Sequence, residues 1–328
     1  VPLTDLPLDV LRDYRGDVPE PADLDAFWAG SLALARGHDL AVELTEAPGP
    51  ALPALTVHDV RFSGWAGDRV AAWLLRPAHL PGPLPVVVEF IGYSGGRGLP
   101  LDRTTWAAAG FAHLVVDTRG QGTDTPDPDP HVSGGQWARG FMTKGVGDPA
   151  TYYYRRAYVD CARAVDVAHA LPALGVEVDT SRVVVRGASQ GGAFTIAAAA
   201  LSGDRVAAAL VDVPFLCHVR RGAQVAGDGP YLEVVDYLRR HSPEQVDRTF
   251  TTMSYVDGAN LASRARVPAL FSAALMDPVC PPSTVFAAFN RWGHEDRHVD
   301  VWEFSDHAGG LGWQVQRQLR FLDRLGLR

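Results

Sequence analysis

Residues 183–198 read Val183-Val184-Val185-Arg186-Gly187-Ala188-Ser189-Gln190-Gly191-Gly192-Ala193-Phe194-Thr195-Ile196-Ala197-Ala198. The β-branched run before Gly187 is the mark of a buried strand, and the Ala-rich apolar run after Gly192 is that of a buried helix. Between them lies a Gly-x-Ser-x-Gly turn. Small residues around the serine let strand and helix pack closely about a sharp bend that exposes the Ser189 hydroxyl. The helix N-terminus that follows aims amide donors at the same place, where a developing oxyanion would be held. The bare pattern arises by chance often enough to mean little; its strand–turn–helix setting gives it weight.

The alternation continues on both sides. Upstream, residues 55–63 and 68–75 read as a hairpin through Gly64-Trp65-Ala66-Gly67, 85–91 and 112–117 as short apolar strands, and 101–109 as a helix between them. A helix is expected over about 151–172. Downstream come strand 206–212, helical material over 217–263, strand 268–275, helix 282–291, strand 298–304 and helix 310–325. Strand–helix alternation of this length predicts an α/β fold, a mostly parallel central sheet flanked by helices on both faces. Nothing resembling a repeat or a dividing linker interrupts it. One domain over 1–328 is expected, with an N-terminal extension over about 1–50 that carries a helix near 22–35. A Gly-, Pro- and Asp-rich insertion over about 122–150 is long enough to carry function or contacts.

Composition narrows the partners. The chain has 328 residues, 47% of them hydrophobic, and a net charge of -8. A core of ordinary size is available, and the acidic balance argues against nucleic acid or an anionic membrane as main partner. Lys144 is the single lysine, which fits a GC-rich coding bias. Cys161, Cys217 and Cys280 are too few and too scattered for a disulfide framework or zinc knuckle, and read as buried free thiols. Val1-Pro2-Leu3-Thr4-Asp5-Leu6-Pro7 has no basic-then-apolar signal pattern, and no apolar run is long enough to span a membrane. A cytoplasmic protein is expected, although a start at Val1 leaves room for a removed segment.

A nucleophilic serine needs a base, and the base needs an orienting carboxylate. In a sheet of this kind they come in the order Ser, Asp or Glu, His, at the carboxyl ends of strands. Asp277 follows the strand Leu270–Leu275, with Asp212, also after a strand, as its rival. His307 follows the strand ending at Phe304; His131, His218 and His241 lie in less suitable places. A competing motif, His294-Glu295-Asp296-Arg297-His298, matches the H-E-x-x-H of zinc proteases. That chemistry requires a helix with both imidazoles on one face. Here the stretch follows Gly293 and runs into the alternating Val299-Asp300-Val301-Trp302, which predicts a loop entering a strand.

Several segments together resemble the carbohydrate esterase family of acetyl xylan esterases and cephalosporin C deacetylases, within the α/β-hydrolase superfamily. They are Arg119-Gly120-Gln121, the Gly187–Gly192 elbow, and Met276-Asp277-Pro278-Val279-Cys280-Pro281-Pro282-Ser283-Thr284. Supporting stretches are Gly92–Gly98, Gly140–Gly145, Tyr152–Arg156, Val213–His218, Asp5–Leu8 and Phe27-Trp28. The resemblance implies Ser189 as nucleophile, His307 as general base and acid, and Asp277 as orienting carboxylate. It also implies an oxyanion hole from the amides of Tyr93 and Gln190, and an acyl pocket of Tyr93, Phe215, Pro230 and Val279. Arg119, through its planar fork of donors, is expected to anchor a loop beside the site, with Gln121 in the same polar network. The family's usual Glu after the histidine is replaced by Ala308, so weaker support of the His307 loop is expected.

The function implied is that of a serine carboxylesterase removing acetyl groups from small substrates, with no metal or organic cofactor. A ring-like homohexamer built through the insertion is implied as well. Another α/β-hydrolase (a longer-chain esterase or peptidase), a zinc hydrolase using 294–298, and a catalytically dead binding protein are the alternatives.

Overall fold

The computed structural model describes residues 3, 5–47, 52–128 and 140–328. His131 and the middle of the expected insertion, 129–139, lie outside the described residues.

One nine-stranded sheet runs through the molecule in the order β1-β2-β3-β5-β4-β6-β7-β8-β9. Its strands are β1 (Glu43–Glu46), β2 (Leu55–Ser63), β3 (Arg69–Pro77), β4 (Leu84–Phe90), β5 (Ala112–Val116), β6 (Val178–Ala188), β7 (Ala208–Asp212), β8 (Ala269–Ala274) and β9 (Arg297–Trp302). The pairs β1–β2, β2–β3 and β3–β5 are antiparallel; from β5 to β9 every pair is parallel. The expected mostly parallel sheet is thus present, with an antiparallel meander along one edge. β1 is an element that the sequence reading did not anticipate.

The helices are α1 (Leu8–Leu11), α2 (Leu24–Arg36), α3 (Thr104–Ala108), α4 (Tyr153–Ala170), α5 (Gln190–Ser202), α6 (Val219–Val225), α7 (Tyr231–Arg240), α8 (Val246–Ser254), α9 (Gly258–Ala262), α10 (Pro282–Phe289) and α11 (Leu311–Arg324). The helical material expected over 217–263 is four separate helices, α6 to α9. No helix among the described residues is long and apolar enough to cross a membrane.

Strand periodicity explains the layering. Val86, Val88, Val183, Val185 and Val211 pack with Tyr154, Tyr158 and Ile196 of α4 and α5 on one face. Their neighbours Val87, Val184 and Leu210 pack with Trp106 of α3 and Phe321 and Leu322 of α11 on the other. Alternate side chains leave a strand on opposite faces, so a strand apolar at every position is buried on both.

The N-terminal segment is tied to the site region. Trp28 on α2 stacks on Tyr158 at 5.7 Å, and its indole N–H donates to the Tyr255 carbonyl at 2.9 Å. Asp5 accepts the Ser283 amide at 2.7 Å, in the first turn of α10, and pairs with Arg221 at 3.0 Å. A carboxylate at a helix N-terminus meets otherwise unpaired amides and a favourable dipole.

Candidate active site

The elbow has the local geometry that its sequence dictates. Ser189 sits between β6 and α5 at φ 58°, ψ -122°. That conformation is costly for a residue with a Cβ and persists only where the surroundings enforce it. They do so here: the Ser189 amide donates to the Asp212 carbonyl at 2.9 Å, and the Ser189 carbonyl accepts from Phe215 at 3.0 Å and Ala193 at 3.1 Å. A Cβ at Gly187 would collide with the Gly191 backbone, and one at Gly191 with the Phe90 carbonyl. Only glycine permits this approach of strand and helix.

Asp277 and His307 follow the ends of β8 and β9, which pair with each other. His307 Nδ1 lies 2.8 Å from Asp277 Oδ2, and the other carboxylate oxygen accepts the amides of Val279 and Cys280 at 2.8 and 2.9 Å. The Asp277 side chain is fully buried, whereas that of His307 is 30% exposed. The proton on Nδ1 is assigned from its acidic partner, which leaves Nε2 with its lone pair outward. The rival Asp212 is engaged elsewhere: its carboxylate accepts from Gln318 at 2.7 Å and faces Arg186 at 3.5 Å. Burial raises its pKa, with Arg186 opposing.

Cys280 belongs to the same cluster. Donor atoms of Asp277, Cys280 and His307 lie within 4.8 Å of one another. Burial, with the Asp277 charge adding to it, holds this thiol well above its ordinary range. Among the described residues no hydrogen bond joins Ser189 directly to His307. Serine–histidine contacts of this type are often long before substrate binds.

Tyr93 follows β4, and among the described residues neither its amide nor that of Gln190 has a backbone partner outside helices and strands. The Tyr93 hydroxyl donates to Glu233, 2.7 and 2.9 Å from the two carboxylate oxygens, and accepts the Phe141 amide at 2.6 Å. Burial and then the Glu233 charge push its pKa well up, against the Phe141 amide, so it remains a neutral phenol.

A family profile described as acetyl xylan esterase (AXE1) matches residues 1–325. The chain belongs to the acetyl xylan esterase family. It is 39% identical to an acetyl xylan esterase from Paenibacillus sp. R4, covering 97% of this chain and 99% of that one, with a TM-score of 0.89. For acetyl xylan esterase 1 from Thermoanaerobacterium sp. JW/SL YS485, identity is 33%, coverage 98% and 99%, and TM-score 0.89. The acetyl esterase Axe7A of Xylanibacter ruminicola is 28% identical over 289 residues, 86% of this chain. The chain spans 62% of that relative's length. The fold is accordingly the α/β-hydrolase fold.

The remaining expected positions of this family member fall into two groups. Phe215 is fully buried, its ring 6.3 Å from Tyr93 and 4.4 Å from Tyr231, the neighbour of Pro230. Val279 lies against Gly229 at the same turn, where Gly227 and Asp228 donate to the Pro278 carbonyl at 2.8 and 3.1 Å. The four acyl-pocket candidates therefore surround one region. Beside it, a groove of about 860 Å³ is lined by Tyr93, Ser94, Gly229, Glu233 and Tyr237 among others.

Arg119 is buried away from that pocket. Its fork meets Asp160 at 2.6 and 2.9 Å, and one of its terminal nitrogens meets Asp127 at 3.0 Å and Asp68 at 3.1 Å. Gln121 links the pieces together: its side-chain carbonyl accepts the Ser94 amide at 2.8 Å, and its NH2 donates to Gln190 at 2.8 Å and Tyr153 at 3.0 Å. Tyr154 adds a bond to Gln190 at 3.1 Å.

The H-E-x-x-H stretch is a turn leading into β9. His294 Nδ1 accepts the Asp296 amide at 3.0 Å, and His298 bonds Asp296 at 2.9 Å. The helical spacing needed for zinc is missing. His218 stacks on Tyr14, and burial, aided by Arg291 and Arg221, lowers its pKa to about 4. Opposite Ala308, the His307 loop is held by other means: Met276 donates to the Ser305 carbonyl at 3.1 Å, and the Asp306 side chain accepts the Ala308 amide at 3.0 Å. Glu233, Tyr153, Tyr154 and Asp160 were not singled out from sequence as parts of this region.

Proposed function

We propose that this chain is a serine carboxylesterase that deacetylates small acetylated substrates, such as acetylated xylooligosaccharides and cephalosporin C-like esters, through an acyl-enzyme on Ser189. The observation that carries this reading is the 2.8 Å contact between His307 Nδ1 and Asp277, set beside the serine elbow. Ser189 Oγ attacks the acetyl carbon while its proton passes to His307 Nε2. The carbonyl oxygen becomes an oxyanion on the amides of Tyr93 and Gln190. The C–O bond to the alcohol breaks, and the alcohol takes the proton from His307. Water then repeats the sequence on the acetyl-serine, releasing acetate and restoring the hydroxyl. Phe215, Val279, Pro230 and the Tyr93 ring close the acyl side, while the groove beside Tyr93 receives the alcohol.

Arg119 and Gln121 hold this arrangement without touching substrate. The chain is read as one cytoplasmic domain that assembles into a homohexamer through 122–150. Its three free, buried thiols suit a reducing compartment. Sedimentation showing a stable monomer would remove the assembly from this reading. The activity is tested with p-nitrophenyl acetate and octanoate, wild type beside Ser189→Ala, with EDTA as control. Fast acetate turnover, indifferent to EDTA and lowered on the order of 10⁴–10⁶-fold in the variant, is expected. Full turnover by Ser189→Ala, or a preference for octanoate, would overturn it.

A further inference from the structure

We propose that Asp277, Cys280 and His307 form a binding site for one soft divalent cation, such as cadmium or zinc, and that its occupation switches the esterase site off. One carboxylate oxygen, one sulfur and one imidazole nitrogen lie mutually within 4.8 Å. Donors around a tetrahedral zinc ion stand roughly 3.2–3.6 Å apart, so small side-chain movements complete the shell. A water molecule would take the fourth position, as at an open zinc site. Three mixed protein ligands with an oxygen in fourth place is the donor set of a d¹⁰ cation.

The ligands are held from behind. Asp277 Oδ1 accepts the amides of Val279 and Cys280, which fixes carboxylate and cysteine as one unit. Asp277 and Cys280 are 3% and 1% exposed, while Ser189 and His307 are partly open, so the cation enters from the substrate side. On binding it displaces the thiol proton and any proton on the ligating imidazole nitrogen to solvent. The imidazole is then tied to metal and no longer serves as a base. Magnesium and calcium, which demand a larger shell of hard oxygens, do not fit this donor set.

Cation binding itself is independent of the proposed esterase activity; only the switch rests on it. Wild type, Cys280→Ala and Cys280→Ser are titrated with cadmium chloride in chelator-free buffer. Two signals are read: the ultraviolet cadmium–thiolate band, and p-nitrophenyl acetate turnover relative to each variant's own metal-free rate. Wild type should develop the band at one cadmium per chain while turnover falls in step, and EDTA should reverse both. Both variants should lack the band and need at least about ten times more cadmium for half inhibition, since even loss of an outer-shell partner costs that much. Cys161→Ala and Cys217→Ala should behave as wild type, and magnesium should produce neither signal. A band that persists without Cys280, no band at one equivalent, or equal cadmium sensitivity in wild type and Cys280→Ser would overturn the site. A band without inhibition would retain the site and refute the switch.

Discussion

Replacing Asp277 with Asn perturbs the proposed triad with almost no change of shape. One oxygen of Asp277 is already committed to the amides of Val279 and Cys280, at 2.8 and 2.9 Å. Asn has a single side-chain acceptor, and those two donors claim it. Its NH2 group then faces His307 Nδ1, across the present 2.8 Å contact. Two N–H groups cannot point at each other, so the imidazole moves its proton to Nε2. That nitrogen now donates where it should accept the Ser189 proton, and the imidazolium loses its counter-charge. The expected loss is on the order of 10⁴ in kcat, about 5 kcal/mol of transition-state stabilisation. KM should change little, because the Asp277 side chain is fully buried behind His307. Both parameters are measured with p-nitrophenyl acetate near neutral pH, beside a thermal melt. A normally folded Asp277→Asn variant within tenfold of wild-type kcat would refute the orienting role.

Gln121→Ala should lower kcat about 10- to 100-fold by loosening the Tyr93–Ser94 turn against Gln190, and cost roughly 1–3 kcal/mol of stability. A urea midpoint that falls while kcat holds would show that Gln121 only supports the fold. Arg119→Lys cannot reproduce the fork onto Asp160 and leaves buried carboxylates short of donors. A loss of about 3–5 kcal/mol in denaturant unfolding is expected, and one below ~1 kcal/mol would contradict it. Glu89 supplies the pH test: burial opposes its ionisation, but Arg186, His113 and Arg103 bring its pKa from 4.5 down to about 2. Its folded value lies below its unfolded one, so its stabilisation is present above about pH 4.5 and disappears as pH falls toward 2. Glu89→Gln should therefore be about 3 kcal/mol less stable than wild type at pH 7, the gap closing in acid. A gap that stays constant with pH would contradict this assignment.

The elements that were legible in the sequence are those whose cause is local. The Val183–Val185 run, the glycines of the elbow and the Ala-rich start of α5 each respond to contacts within one strand–turn–helix unit. β1 was not legible because it is four residues long, Glu43-Leu44-Thr45-Glu46, at a sheet edge and mostly exposed. It owes its state to pairing with β2, not to its own pattern. The 217–263 region read as helical throughout, yet Asp257 caps a separate helix, α9, by accepting the Ala259 amide, and also accepts the amides of His218 and Val219 at the start of α6, contacts across 39 and 38 residues that no local pattern announces.

The same distinction applies within the site. Ser189, Asp277 and His307 each follow a strand, so chain order and the carboxyl-end rule were enough to select them before any contact was known. Glu233 has no such marker: it meets Tyr93 across 140 residues, through the placement of α7. Cys280 was rightly expected to be a buried thiol, but burial says nothing of what it is buried beside. Its place within 4.8 Å of Asp277 and His307 depends on how the 277–280 turn folds. Ala308 makes the converse case. Its departure from the family pattern leads to the expectation of a weaker His307 loop; the bonds present there are the Met276 amide on the Ser305 carbonyl and the Ala308 amide on the Asp306 side chain. The proposed reacting groups are thus readable from their places in the topology. The groups that hold them in register depend on packing between distant elements, and variants at Gln121, Arg119 and Cys280 test that part of the structure most directly.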